Sequence, residues 1–170
     1  MQPILQALSR RVARLESMLA ILLMLLMVVL LLSGTVARAA GHPLIRSDEA
    51  AMLTMVWTAF IGASLGVREG SHMAIRLLPD QLGAQAALWV TRAGAALTAI
   101  FLIAFALMLW NWFDLPGLIA TGGATALARE TFNFIYSEPT QTLGLPKFLF
   151  WLVMPFSTLA ALLHLAAGWK

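Results

Sequence analysis

The sequence predicts an all-α membrane protein with four transmembrane helices, an interfacial N-terminal helix, amphipathic connections and both termini in the cytoplasm. Three observations predict it. Hydrophobic residues make up 61% of the 170-residue chain and charged residues 11%, against about a quarter charged in a soluble domain. The apolar residues fall in four blocks, 17–37, 50–67, 93–113 and 148–169, and none of them holds Asp, Glu, Lys or Arg. Each block is close to the length that crosses a bilayer as a helix. With no large polar block, residues 1–170 read as a single membrane domain.

Met1 to Glu16 is short and mixed. Ile4, Leu8, Val12 and Leu15 recur at helical spacing with Arg10, Arg11 and Arg14 between them. That pattern predicts a helix lying on the membrane surface with its basic side in the headgroups; a frayed basic tail is the plainer alternative. The first block has a rival reading as a cleaved signal peptide, from Ala37-Arg38-Ala39 and a faint twin-arginine motif at Arg10-Arg11. It is longer than a signal core, which favours an uncleaved helix.

Gly41-His42-Pro43 marks a turn before the second block. Asp48 and Glu49 stand at the start of that block, where acids suit a helix N-terminus. Capping is the expected role, and a salt bridge to a partner the alternative. Within the block, Gly62 and Gly66 form a G-x-x-x-G, and Ala59 and Ala63 repeat the small spacing. Small residues four apart let another helix approach closely. Arg68, His72 and Arg76 share one side if the helix continues, and either lipid headgroups or a partner would suit them. Met73, Leu77 and Leu78 give the following stretch an apolar side.

A long helix is expected from Gln81 to about Phe113. The connection 114–147 is broken by Gly122-Gly123, and a short helix is expected over 125–136. Leu127, Phe134 and Ile135 are expected on one side of it, and Arg129, Glu130 and Asn133 on the other. In the last block Pro155 should kink the helix, with Ser157 and Thr158 taking up freed backbone groups.

Orientation follows from the basic residues. With the N-terminus inside, seven (Arg10, Arg11, Arg14, Arg68, Arg76, Arg92, Lys170) lie inside and four (Arg38, Arg46, Arg129, Lys147) outside. Trp89 and Trp169 then fall at the inner interface, and Trp110, Trp112 and Trp151 at the outer one. Trp57 alone sits mid-span.

Several functions are excluded. The basic residues are spread singly, so the net charge of +3 does not make a nucleic-acid surface. There is no cysteine, hence no disulfide, thiolate metal site or thiol nucleophile. No catalytic, cofactor or metal residues are assigned. Ser33, Ser64 and Ser157 lack a nearby His and acid. His72 and His164 lie at the same side, but interfacial histidines bonded to water, headgroup or a neighbour are expected in preference to haem ligands. Ion pathways usually show ionisable residues inside spans. Their absence here points to a subunit that does not transport alone.

Asp48-Glu49, Trp57, Gly62-Ala63 and then Arg68-x-Gly70-x-His72 before an amphipathic stretch resemble the second helix of the small permease subunit (DctQ-like) of tripartite ATP-independent periplasmic (TRAP) transporters. Gly144-Leu145-Pro146 entering an aromatic-rich run with Pro155 near its middle resembles the opening of that family's last helix. The resemblance implies a non-enzymatic subunit of the bacterial inner membrane. It implies partnership with a large permease, which carries the substrate and ion sites, and with a periplasmic substrate-binding protein. It also implies symport of a small carboxylate driven by an ion gradient. Asp48, Glu49, Trp57, Gly62, Gly66, Arg68, Gly70, His72 and Arg76 are the candidate partner or lipid contacts. The connection 114–147 is long for the family, which makes it a candidate contact for the binding protein. Two other readings compete: the membrane anchor of a redox enzyme, and the small subunit of a different tripartite carboxylate transporter.

Overall fold

A computed structural model describes residues 2–69 and 84–168. The described residues hold seven helices: α1 (Gln2–Ala39), α2 (Ile45–Glu69), α3 (Ala84–Phe113), α4 (Leu115–Thr121), α5 (Ala124–Thr131), α6 (Phe148–Trp151) and α7 (Val153–Gly168). Four stretches are long and apolar enough to cross a membrane: α1, α2, α3 running on into α4, and α6 with α7. No described residue belongs to a strand.

The N-terminal segment differs from expectation. It is not a separate surface helix but the first part of α1, which runs unbroken for 38 residues. No Gly or Pro interrupts Ile4 to Ser33, so nothing stops the helix once begun. At 1.5 Å per residue it is about 57 Å long, well beyond a bilayer core of about 30 Å. One side of this N-terminal part packs within the bundle. Ile4, Leu8 and Leu15 are exposed, whereas Ser9, Ala13 and Glu16 are buried. A lipid-facing surface is apolar, so the small and polar side is the one left for helix packing.

α2 and α7 form the centre. α1 packs on both, and α3 packs on α7. α3 meets α2 through stacked Phe60 and Phe105, with ring centroids 6.3 Å apart. The outward sides of α1 and α3 are lined with Leu22, Leu25, Val29, Leu32, Phe101 and Leu107, all exposed. α1 and α2 cross closely at Gly34. A Cβ there would stand 2.7 Å from the Ser47 hydroxyl, so only glycine lets the two helices meet without displacing Ser47.

Pro155 acts as expected on the last span. Its missing N–H and its ring, set against the carbonyl four residues back, break the helix between Trp151 and Val153. Ser157 and Thr158 do not serve that carbonyl. Both hydroxyls donate to the Met154 carbonyl instead. The break is braced from α2, where the Trp57 indole N–H donates to the Phe150 carbonyl at 2.8 Å.

The connection 114–147 is a folded cap. Asp114 caps α4 by accepting from the Gly117 N–H. The predicted short helix is α5, and it ends at Thr131. Leu127 and Ile135 are buried as expected, but Phe134 is exposed, because the chain leaves the helix before reaching it. The last carbonyls of α3 have no helical partner, so side chains take them. Asn133 Nδ2 donates to the Trp112 carbonyl and the Tyr136 hydroxyl donates to the Phe113 carbonyl, at 2.7 and 2.6 Å. Burial, and secondarily the charge of Asp114, push the Tyr136 phenol up from its usual range, which keeps its proton in place for that bond. The Tyr136 ring packs with Phe105, Phe148, Trp151 and Met154 against Leu109, Phe113 and Ile135.

Tyr136→Phe keeps the packing and removes the donor. It is expected to cost about 1 kcal/mol and lower the melting temperature in detergent by about 2–4 °C, while Tyr136→Ala costs about 3 kcal/mol or more. Thermal unfolding followed by tryptophan fluorescence measures both.

Candidate functional site

The polar groups of the bundle gather at its two ends. At the end where α1 gives way to α2, Arg38 and Asp48 form an exposed ion pair of 2.7 Å. α2 begins at Ile45, so neither Asp48 nor Glu49 is its N-cap. The capping expectation is corrected in that respect, although Asp48 remains in the first turn. Both acids find partners within the chain. The Glu49 carboxylate accepts from the backbone N–H groups of Gln141, Thr142 and Leu143 at 2.7, 2.6 and 3.1 Å, and from the Thr142 hydroxyl.

The loop that holds Glu49 is itself a small hairpin. Thr140 N–H donates to the Leu145 carbonyl and Lys147 N–H to the Glu138 carbonyl. Lys147 and Glu138 pair at 2.7 Å. Gly144, at φ +70°, supplies the left-handed residue that the turn needs. Its tip aims successive N–H groups at one carboxylate, as an anion nest does.

Along the side of the bundle, Ala59, Gly62 and Ala63 are exposed. No atom lies within 4 Å of where a Cβ on Gly62 would stand. The small-residue stripe therefore does not pack against another helix among the described residues. It borders an apolar groove of about 690 Å³ between α2, α3 and α7, lined in part by Phe60, Ala63, Gly66, Leu97 and Phe101. Ser64 also lines the groove, and its buried hydroxyl has no hydrogen-bond partner among the described residues.

The end that carries both termini holds a cluster the sequence reading missed. His164 Nδ1 lies 2.8 Å from the Ser9 hydroxyl, and its Nε2 lies 2.8 Å from Glu16 Oε2. His164 is 2% exposed and Glu16 1%. His164 is thus bonded to neighbours, but deep in the packing and not at an open interface. Glu16 Oε1 has no partner among the described residues. The signal was present: Ser9, Ala13 and Glu16 fall at i, i+4 and i+7, one face of a helix.

Serine, histidine and acid in a row invite comparison with hydrolases. There the serine bonds Nε2 and the acid Nδ1; here the two are exchanged, and Ser9 is buried. The cluster ties α1 to α7. Arg68 stands nearby and exposed at the end of α2, whereas Gly70, His72 and Arg76 lie outside the described residues. Among the described residues no group of His, Asp and Glu is arranged to hold a metal.

Four apolar spans packed into one bundle define a helical integral-membrane protein. The chain matches the family model of tripartite ATP-independent periplasmic transporters, DctQ component, over residues 26–169. It belongs to that family. It is therefore a multi-pass inner-membrane protein and the small subunit of a TRAP transporter, a transporter component and not a member of an enzyme family. Membership implies, in general terms, a large permease and a periplasmic binding protein as partners. No curated protein and no solved structure matches the chain.

Breaking a buried hydrogen-bonded pair leaves the survivor unpaired. Glu16→Ala and His164→Ala are each expected to cost about 3 kcal/mol, and the double variant little more than either alone. A double-mutant cycle on thermal unfolding measures the coupling; additive losses would show that the pair does not join α1 to α7. Glu49→Gln presents a donor to a loop of donors. It is expected to leave the bundle folded while the 138–147 loop is cut several-fold faster by added protease.

Proposed function

We propose that this subunit packs the small-residue stripe of α2 against the large permease and turns its 114–147 cap toward the periplasmic binding protein. Both termini then lie in the cytoplasm. The complex takes up a small, carboxylate-bearing solute on an ion gradient. The observation that carries the reading is the exposed stripe of Ala59, Gly62 and Ala63. Lipid does not need small residues, whereas a close helix contact does, and nothing among the described residues makes that contact. Trp57, the Arg38–Asp48 pair and the Glu49 clasp act inside the chain. They hold the presenting surfaces in place and do not themselves reach a partner.

The seven-to-four distribution of basic residues supports the orientation and puts the cap outside. The cap displays Ile119 and Phe132, which are 79% and 80% exposed. They are large apolar side chains of the kind that anchor protein contacts. The ion gradient and the carboxylate come from the family resemblance.

Gly62→Leu fills the stripe. It is expected to leave the chain folded but to weaken association with the large permease by about 5- to 150-fold, read as lower recovery on gentle purification, since an overfilled close contact costs about 1–3 kcal/mol. Equal recovery would place the permease on another side. Phe132 sits at φ +57°, so Phe132→Gly removes the ring and eases the backbone together. Solute uptake is expected to fall with the complex still assembled; unchanged uptake would remove the cap from the docking surface.

A further inference from the structure

Three arginines converge where α1 and α2 meet at the terminal end. Arg10, Arg14 and Arg68 line one hollow of about 370 Å³, whose remaining walls are Ala13, Ser17 and Met18. All three arginines are exposed. None has an acidic partner among the described residues; the ion pairs there join other groups. The nearest acid on α1 is Glu16, and its carboxylate is turned inward to His164. Glu69 lines the neighbouring hollow, which Arg10 and Arg68 also border, so one acid stands beside the three arginines.

Three positive charges beside a single acid still repel on balance, and the arrangement is stabilised by an anion held between them. We propose that this hollow is a binding site for the phosphate headgroup of an anionic membrane phospholipid. Its depth fits that ligand. Ser17 begins the uncharged run of α1, so the arginines stand at the level where headgroups lie. Guanidinium forks bind phosphate oxygens in pairs. Below them Met18, Ile21, Leu22 and Leu25 are exposed along α1, a continuous apolar track for an acyl chain. A free phosphate would use the arginines but not the track.

The site joins α1 to α2, as the Glu16–His164 pair joins α1 to α7. A lipid seated there therefore acts as a third partner to the two helices, and its loss loosens the terminal end. This inference does not depend on which face meets the permease.

The chain is purified, stripped of lipid and placed in nanodiscs of phosphatidylcholine alone or with phosphatidylglycerol. Phosphatidylglycerol is expected to raise the melting temperature, and native mass spectrometry to find it retained on the chain. Retention is expected to fall about fivefold for each arginine changed to glutamine among Arg10, Arg14 and Arg68. R46Q with R129Q, at the opposite end, keeps full retention. Because charge also directs insertion, R10K with R14K and R68K serves as the second variant; it preserves charge and topology but lacks the fork, and is expected to retain less lipid than the parent. An equal shift with inorganic phosphate in phosphatidylcholine discs, or equal phosphatidylglycerol retention by the parent and both triple variants, overturns the proposal.

Discussion

Lipid offers a polar group nothing to bond to, and the fold is arranged around that lack. Within the spans almost every backbone group is served by its own helix. The groups that remain are the helix ends, the proline break, the buried Glu16 and the half-buried Glu49, and each is met by a named side chain or loop. Asn133 and Tyr136 close the end of α3. Trp57 bonds the Phe150 carbonyl beside the break before Val153. Glu16 meets His164, and Glu49 meets the 141–143 loop. Apolar burial contributes less than in a soluble domain, since a lipid tail is as apolar as leucine. These polar ties and the close helix crossings decide which helix lies beside which.

Much of the architecture was legible in the sequence. Four uncharged runs gave the four spans. Gly41-His42-Pro43 gave the first turn, Gly122-Gly123 the division between α4 and α5, and Pro155 the break. The family was legible from the Trp57 to His72 pattern together with Gly144-Leu145-Pro146. Reading the N-terminal segment as a separate surface helix overlooks that no Gly or Pro parts it from the first span. With lipid outside, the apolar side faces out, and Ser9, Ala13 and Glu16 pack within. The Glu49 loop was hidden for another reason: its partners are some 92 residues away in sequence, and nothing local marks a carboxylate that will be received by backbone N–H groups.

The surface of the bundle divides by use. α1 and α3 turn Leu, Ile and Phe outward. α2 turns out Ala59, Gly62 and Ala63 beside an apolar groove. The charged residues outside the ties stand at the two ends. That α2 side departs from what a lipid-facing helix needs, which is why a stripe of small residues says more here than it would in a soluble helix. The large exposed residues of the cap, Ile119 and Phe132, make the corresponding departure at the other end.

The Glu16–His164 and Glu49–Thr142 ties also set an order in time. Both acids leave the ribosome early, and both receive their partners from the last third of the chain. At about 5–20 residues per second, the 148 residues between Glu16 and His164 take about 7–30 s to make. Glu49 waits a shorter time, since its 141–143 loop is made before α7. The two ends of the bundle therefore close in turn, the Glu49 end first and the Glu16 end last. A chain that stops short of α7 has the loop for Glu49 but leaves the Glu16 carboxyl without its partner.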